Sequence, residues 1–448
     1  MHSALSLMNC ILILANLASV ATGSLSIQAP LTVLTFVVCL AQTCAASPNR
    51  VNPGSLLCLT TGVFLLGRFL VSYVFGWGDY MQADWFMNGP MDPALLSRAL
   101  GAVCLFLLGA ATGTGKLGQL EIHPDPKLGA IALRMGLVLA PFAVYRIYAN
   151  LSFWLSGNYL SMYLDGGPGG LPYALGGWAI LCVFAYLTSR PARHHAWIAL
   201  VLGIVLCAIE TLKGARGIAM AQLIGLAWLF MSSQGIRFSL WKAALAGLAM
   251  VVLADYVGRA RFGISAADLP ATGMADSLLG FFFSQGVSLI FLVAMLDNLH
   301  GFVPGTDGIR STFALILDNS HRFFGSLPAG QSEDFARHTA SLAHRLAYMV
   351  NPEMYLSGMG MGGSAVAESM LYSSLFGPLL AGLMTGFILR LLFRAGRHSS
   401  GGVFMLASTF PFLLLVPRET QLYFLIPLIK ASIIVMLAAT FAKRHASN

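Results

Sequence analysis

Residues 94–113 have the sequence ALLSRALGAVCLFLLGAATG, in which Arg98 is the only charged residue. A helix of about 20 mostly apolar residues spans the roughly 30 Å hydrocarbon core of a bilayer, because its backbone polar groups bond within the helix. The whole 448-residue chain has this character: 57% of its residues are hydrophobic and 10% are charged, whereas about 25% are charged in soluble domains. The sequence therefore predicts an all-α, polytopic membrane protein.

The chain contains about twelve apolar runs that are long enough to cross a membrane. They cover residues 4–24, 30–46, 54–75, 94–113, 128–149, 173–189, 196–212, 217–233, 242–257, 370–393, 402–416 and 421–441. The first run lacks the basic residues that begin a secretory signal, so we predict that it is a membrane span. A further apolar stretch, 278–296, is ambiguous.

The lysines and arginines between the spans predict the topology, because such residues are retained in cytoplasmic loops. Eleven of the 26 occupy alternate connections: Arg50, Lys116, Lys127, Arg190, Arg193, Arg237, Lys242, Arg394, Arg397, Lys443 and Arg444. Both termini are therefore predicted to be cytoplasmic, and the net charge of +8 does not indicate binding to nucleic acid. The alternation holds only if 278–296 does not cross, so we predict a re-entrant or interfacial helix there.

This topology divides the chain into three regions. Residues 1–257 carry helices 1–9, residues 258–363 form one large external segment with short helices, and residues 364–448 carry helices 10–12. The external segment holds eight of the eighteen acidic residues and four of the ten histidines. It is the one predicted loop that is large enough for a small extramembrane domain.

Several cations lie on the external side, contrary to the topology rule. Arg216, Arg259, Arg261 and Arg418 come from three separate external edges of the predicted bundle. Ion pairs with Glu210, Asp255 and Glu419, or contact with lipid headgroups, would explain each of them singly. A shared anionic ligand explains them together, since arginine binds phosphate oxygens through two parallel hydrogen bonds. A diphosphate at the external membrane surface fits this pattern.

The external segment contains a second group of candidates in RHTASLAHRLAYMVNPEMYLSGMGMGGSAVAESMLYSSLFG, residues 337–377. Residues 335–350 are compatible with one helix, which Asn351-Pro352 would end. That helix would carry His338, His344 and Arg345. Solvated histidines are the alternative to catalytic ones.

The glycine-rich sequence SGMGMGGS, residues 357–364, would let backbone N–H groups approach an anion, and Ser364 would cap the next helix. Ser364, Glu368 and Tyr372 then recur every four residues and predict a polar stripe on one helix face. An ionisable residue at the membrane edge is a functional candidate. An ion pair of Glu368 with Arg418 or Arg345 is the alternative, and glycine-rich turns before helices are common.

These strings resemble a known family. SLAHRLAYMVNPEMYLSGMGMGGSAVAES, with FFFSQGVSLI about 50 residues earlier, is similar to the Wzy-type oligosaccharide repeat-unit polymerases of bacterial inner membranes. The similar elements are a Q-G-x-S-L segment, an A-H-[KR]-[LI] helix, an N-P-E-x-Y-L-x-G turn and a G-x-x-[GS]-S-x-x-A-E helix start. Arg216-Gly217 and Arg418 also look like recurrent features of these proteins.

The resemblance implies a glycosyltransferase that joins undecaprenyl-diphosphate-linked oligosaccharides at the periplasmic face. Its bases would be His344, then Glu368, then His338. Arg216, Arg259, Arg261, Arg345 and Arg418 would bind the diphosphate and stabilise the charge that develops on it. The implied partners are the lipid-linked substrates, the bilayer and a chain-length regulator protein.

We expect no cofactor and no metal. The seven cysteines lie in or beside apolar runs without a C-x-x-C pair, so they are interpreted as packing residues. The external face has no predicted carboxylate pair or His/Cys cluster that would bind a metal. Three other functions stay open: an O-antigen ligase-like transferase, a flippase or exporter of the same lipid-linked sugars, and a polytopic protein without catalysis.

Overall fold

The computed structural model describes residues 2–83, 86–87, 89–155, 161–164, 168–212, 216–236, 247–249, 252, 274–328 and 330–446. At a few helix ends, including Arg216, it describes the backbone alone. The structure is 77% helix, and its described part has no strand. This confirms the predicted all-α class. Residues 237–246 and 253–273, with Arg259 and Arg261, lie outside the described part.

Nine helical segments in the described part are long and apolar enough to cross a membrane. They are Leu25–Ala45, Pro53–Phe75, Pro93–Thr114, Pro126–Leu155, Leu171–Thr188, Arg193–Thr211, Ala275–Asp297, Gly377–His398 and Ser400–Arg418. Shorter apolar helices are Leu7–Thr22, Gly217–Ser233 and Leu425–Thr440. The predicted count of twelve spans stays a prediction, since most of 242–257 lies outside the described residues.

The ambiguous apolar stretch is one of these nine segments. It consists of two helices, Met274–Gln285 and Ser288–Asp297, that are interrupted at Gly286 and Val287. Its beginning packs on Trp77, which follows the predicted external end of helix 53–75. Its end leads to Phe302, beside Arg345. These contacts at both ends are in keeping with a re-entrant path, which stays a prediction because the segment is also long enough to cross.

The short helices of the external segment differ from the expected single helix over 335–350. That prediction was wrong: the helices are Glu333–His338 and Leu342–Val350. Between them, the Asp318 carboxylate accepts hydrogen bonds from the Thr339 hydroxyl at 2.5 Å and the Ala340 N–H at 2.8 Å. These bonds hold the connection away from helical geometry. The remaining short α-helices of this segment in the described part are Thr306–Thr312, Ala314–Phe323 and Pro352–Leu356, and the helix Ala365–Met370 follows the segment.

Two spans cross at unusually close range through glycines. Gly109 and Gly113 on helix 93–114 face Gly382 and Gly386 on helix 377–398, and a Cβ on any of them would collide with backbone of the other helix. Small residues four apart allow such approach between membrane helices, where van der Waals contact drives association. This crossing lies in the core. It supports the N-terminal end of helix 377–398, which is the end nearer to Glu368 in sequence.

We expect Gly382→Ala to lower the free energy of unfolding by about 1–3 kcal/mol, because the added methyl group would displace the Phe106 carbonyl. The measurement is thermal unfolding of the purified protein in detergent. Gly136→Ala is the matched control, since its Cβ would lie 3.7 Å from Cys182 Cβ, an ordinary contact. Equal melting temperatures for the two variants would contradict the packing assigned to this crossing.

Candidate active site

The glycine-rich turn leads directly into the helix Ala365–Met370. Gly358 and Gly362 have φ values of 91° and 75°, in the left-handed region that favours glycine. The Ser364 hydroxyl accepts a hydrogen bond from the Val366 N–H at 3.2 Å, as predicted for a helix cap. The helix has only six residues, so its dipole is weak. The dipole of so short a helix contributes little to anion binding here.

Arg418 is the cation beside this turn. Its carbonyl oxygen accepts the Gly363 N–H at 3.3 Å, and a Cβ on Gly362 would lie 4.0 Å from its Nε. Nη1 donates to Gln285 Oε1 at 2.9 Å, and the guanidinium lies 5.4 Å from the centre of the Phe64 ring. The Arg418 guanidinium thus lies where three segments that are far apart in sequence meet: those that carry Phe64, Gln285 and the glycine turn.

Glu368 lies in a buried pocket of hydrogen-bond donors next to Arg418. Its carboxylate accepts from Ser311 Oγ at 2.9 Å, Thr420 Oγ1 at 3.1 Å and the Gln421 N–H at 2.8 Å, and the residue is 5% exposed. Thr420 and Gln421 follow Arg418 by two and three residues. Glu368 therefore fixes the segment that presents Arg418, and its hydrogen bonds in the described part involve no arginine.

Burial raises the pKa of Glu368 from its ordinary value of 4.5 to about 8, against the lowering effect of its three donors. The residue lies between the spans 275–297 and 377–398. Between about pH 4.5 and pH 8 the folded protein retains a proton that the unfolded chain releases. Stability should therefore fall as the pH rises through this window.

Glu368→Gln removes this titration and keeps an acceptor oxygen. We expect the stability of the variant relative to wild type to rise between about pH 5 and pH 8, by on the order of 1–3 kcal/mol. Thermal unfolding in detergent as a function of pH measures this difference. Glu353→Gln, at an exposed carboxylate, serves as the control. A parallel pH response of wild type and Glu368→Gln would show that Glu368 does not titrate as described.

His344 occupies a different environment on the helix Leu342–Val350. Its ring packs edge-on against Phe335 at 4.8 Å, and Nδ1 lies 3.2 Å from the Tyr355 hydroxyl oxygen. Burial lowers the pKa of His344 to about 4, with a further contribution from Arg322 that Asp318 opposes. The imidazole is therefore neutral at physiological pH. The preceding residue, Ala343, packs against Gly363 of the glycine turn.

Arg345 forms a short ion pair with Asp307, and both side chains are largely buried. The other Asp307 oxygen accepts the Val303 N–H at 2.8 Å, and the guanidinium lies 5.1 Å from the Phe302 ring centre. Burial raises the pKa of Asp307, but the hydrogen bonds from Arg345 and the Val303 N–H, with the charges of Arg345 and Arg310, together outweigh it and keep that pKa below its ordinary value. This arrangement favours a structural role for Arg345, which joins helix 342–350 to helix 306–312.

The other predicted residues are placed apart from this group or lie outside the described side chains. His338 is exposed and its Nδ1 lies 2.9 Å from Asp334 Oδ1, one turn earlier on its own helix. The backbone of Arg216 begins the helix Arg216–Ser233. The structure thus brings Arg418, Glu368 and the glycine turn together, with helix 342–350 packed against the turn.

Several contacting residues were not identified from the sequence. Gln285, Ser311 and Thr420 have ordinary polar side chains without a spacing signal, although Gln285 belongs to the Q-G-x-S-L string. Arg68 is 2% exposed, and its guanidinium lies 4.0 Å from the Phe283 ring centre. The Arg68 backbone packs closely against Gly286, the residue after Gln285, because a Cβ on Gly286 would lie 2.1 Å from Arg68 N. Arg68 therefore supports the segment that holds Arg418.

Comparison with known proteins identifies the family of the chain. The family model described as "O-antigen polysaccharide polymerase Wzy" matches residues 4–445, nearly the whole chain. No curated protein and no solved structure matches the chain. Since the match includes the apolar helices, the glycine turn and Arg418, the chain belongs to the Wzy family of O-antigen polysaccharide polymerases, and it is a multi-pass membrane protein that polymerises O-antigen repeat units.

Proposed function

We propose that the protein polymerises undecaprenyl-diphosphate-linked oligosaccharide repeat units at the periplasmic face of the bacterial inner membrane. The growing glycan would be transferred from one lipid carrier to the sugar end of the next repeat unit. The alternation of cationic loops supports this orientation, since it predicts that the glycine turn and Arg418 lie on the external side. A chain-length regulator stays a predicted partner.

The observation that carries the proposal is the position of Arg418. Its guanidinium lies at the predicted external end of span 400–418, beside the glycine turn, and is held by Gln285. A donor that is fixed in advance and aimed at developing negative charge stabilises a transition state. Arg418 would thus stabilise the diphosphate as the bond between it and the anomeric carbon breaks. Arg216, Arg259 and Arg261 stay proposed contributors to the same anion site.

His344 is the base that we propose. In the required tautomer Nδ1–H donates to the Tyr355 hydroxyl oxygen, and Nε2 accepts the proton of the attacking sugar hydroxyl. That oxygen forms the new glycosidic bond as the carrier diphosphate leaves with the bonding electron pair. Glu368 and His338 stay alternative bases. Glu368 accepts hydrogen bonds from three donors, and His338 is exposed on a neighbouring helix. For these reasons we rank both after His344 as candidate bases.

The direct test is polymerisation by the purified protein in liposomes that contain a synthetic undecaprenyl-diphosphate-linked repeat unit. We expect a ladder of longer glycans on the lipid carrier without lipid A. Transfer that occurs only when lipid A-core is added would instead indicate a ligase. Movement of intact repeat units across the bilayer with no new glycosidic bond would indicate a flippase.

A further inference from the structure

A second polar cluster lies within the spans, on helices other than those that hold Arg418. Arg146 of helix 126–155 binds both oxygens of Glu210 on helix 193–212, with Nε to Oε1 at 2.5 Å and Nη2 to Oε2 at 3.0 Å. Its Nη1 donates to the Tyr173 carbonyl at 2.9 Å. Gly176 and Gly177 allow this approach, because a Cβ on either would press on Arg146.

Lys430 adds a second cation to this cluster. Its Nζ lies 5.6 Å from the centre of the Trp178 ring. Trp178 directly follows Gly177, at which a Cβ would lie 3.0 Å from Arg146 Nη1. The described residues provide no carboxylate within 4 Å of this ammonium. Among the described residues the cluster thus has two cations, Arg146 and Lys430, and one carboxylate, Glu210, which binds Arg146. An intramembrane charge of this kind requires a compensating partner.

The depth of the cluster indicates which partner that is. At 1.5 Å per residue, Arg146 lies about 30 Å, Glu210 about 25 Å and Lys430 about 24 Å from the predicted cytoplasmic ends of their helices, which start or end at Pro126, Arg193 and Ala446. The hydrocarbon core is about 30 Å thick. All three therefore lie near its outer boundary, where lipid phosphates are found.

The cluster also adjoins the lipid-facing surface. Tyr145 and Ile429, which neighbour Arg146 and Lys430 in sequence, are exposed large hydrophobic residues. Arg134, on the same helix as Arg146, is exposed and does not belong to the cluster. A lipid lying against helices 126–155 and 425–446 could thus bring an anionic headgroup to Lys430 without entering the protein core.

The geometry points to a second phosphate site, in which Lys430 and Arg146 bind the phosphate of a lipid in the outer leaflet. The chemistry is shared by two sources: the diphosphate of a lipid-linked substrate and the phosphate of an anionic phospholipid. The first source rests on the proposed function, because polymerisation requires two lipid-linked molecules at once. Arg418 would hold one of them and the cluster would hold the other.

Native mass spectrometry of the detergent-purified protein tests the site with two probes, undecaprenyl diphosphate and phosphatidylglycerol. We expect wild type to bind two molecules of undecaprenyl diphosphate, with Lys430→Gln and Arg418→Gln each losing one. The Kd of the lost molecule should rise about tenfold to a hundredfold. If Lys430→Gln instead loses phosphatidylglycerol and retains both carriers, the site binds a phospholipid.

Controls separate the site from general effects on folding. Lys430→Arg should retain binding, and Arg134→Gln, a cation removed from the same span outside the cluster, should bind as wild type does. Lys430→Met is assayed beside Lys430→Gln, because an unbranched apolar side chain is well accommodated in a membrane helix. Wild-type binding of both probes by the Gln and Met variants would overturn the inference. Failure of wild type to polymerise, with this binding pattern intact, would refute the proposed function alone.

Discussion

Replacing His344 with glutamine is expected to lower the rate of polymerisation about 10²–10⁴-fold, the range over which a positioned proton acceptor contributes. The variant should still fold, since glutamine can reach the Tyr355 hydroxyl. Rates are measured from glycan ladders in liposomes with a synthetic lipid-linked repeat unit. His300→Gln, at an exposed histidine of the same external segment, is the matched control and should have the wild-type rate.

The pH profile of the wild-type enzyme provides an independent check on His344. Because burial lowers the pKa of this imidazole to about 4, the base stays neutral well below the ordinary histidine range. The rate should therefore be nearly constant between about pH 7 and pH 5 and decrease only as the pH approaches 4. An acid limb near pH 6.5, the ordinary histidine range, would contradict the assignment of His344 as the base.

Arg418→Gln is expected to lower the rate about 10²–10³-fold, comparable to the loss of one donor that stabilises transition-state charge. Glutamine can still bind Gln285 but carries no charge for the diphosphate. Cells that depend on this variant should display single repeat units in place of long O-antigen, which gel electrophoresis of lipopolysaccharide resolves. Arg418→Lys should recover only part of the rate, because an ammonium cannot bind two phosphate oxygens in the planar geometry of a guanidinium.

Arg394→Gln is the control for Arg418, since Arg394 is exposed at the predicted cytoplasmic end of helix 377–398. It removes the same charge from the opposite side of the membrane. A wild-type rate for Arg418→Gln would contradict the assignment of Arg418 to the diphosphate site. Equal losses in both variants would show that the effect comes from net charge and not from position.

Much of the fold follows from local sequence. The run predicted over 94–113 is the helix Pro93–Thr114, because twenty apolar residues in a bilayer have few alternatives to a helix. The run predicted over 54–75 is also helical, but it contains a π-helical turn at Gly62–Leu66. That turn carries Phe64 to Arg418. Apolar periodicity could not have located it, since four of its five residues, Val63 to Leu66, are hydrophobic in a run.

The candidate site was predicted in part. Ser364 caps its helix as expected, and Glu368 and Tyr372 both contact the same short helix, through Ser311 and Thr312. The choice of partners was not predictable. The sequence left open an ion pair of Glu368 with an arginine. In the structure, Glu368 instead accepts hydrogen bonds from hydroxyl and backbone donors. Arg345 binds Asp307, 38 residues earlier.

The sequence by itself determined the membrane class, the helical spans and the glycine turn followed by a capped helix, because these depend on hydrophobicity and on backbone preferences within a few residues. Only the tertiary structure decided which polar groups meet. Gln285 and Arg418 are 133 residues apart, and Arg146 and Glu210 are 64 residues apart. Such contacts depend on how helices cross, and the crossings depend on side-chain packing along their whole length.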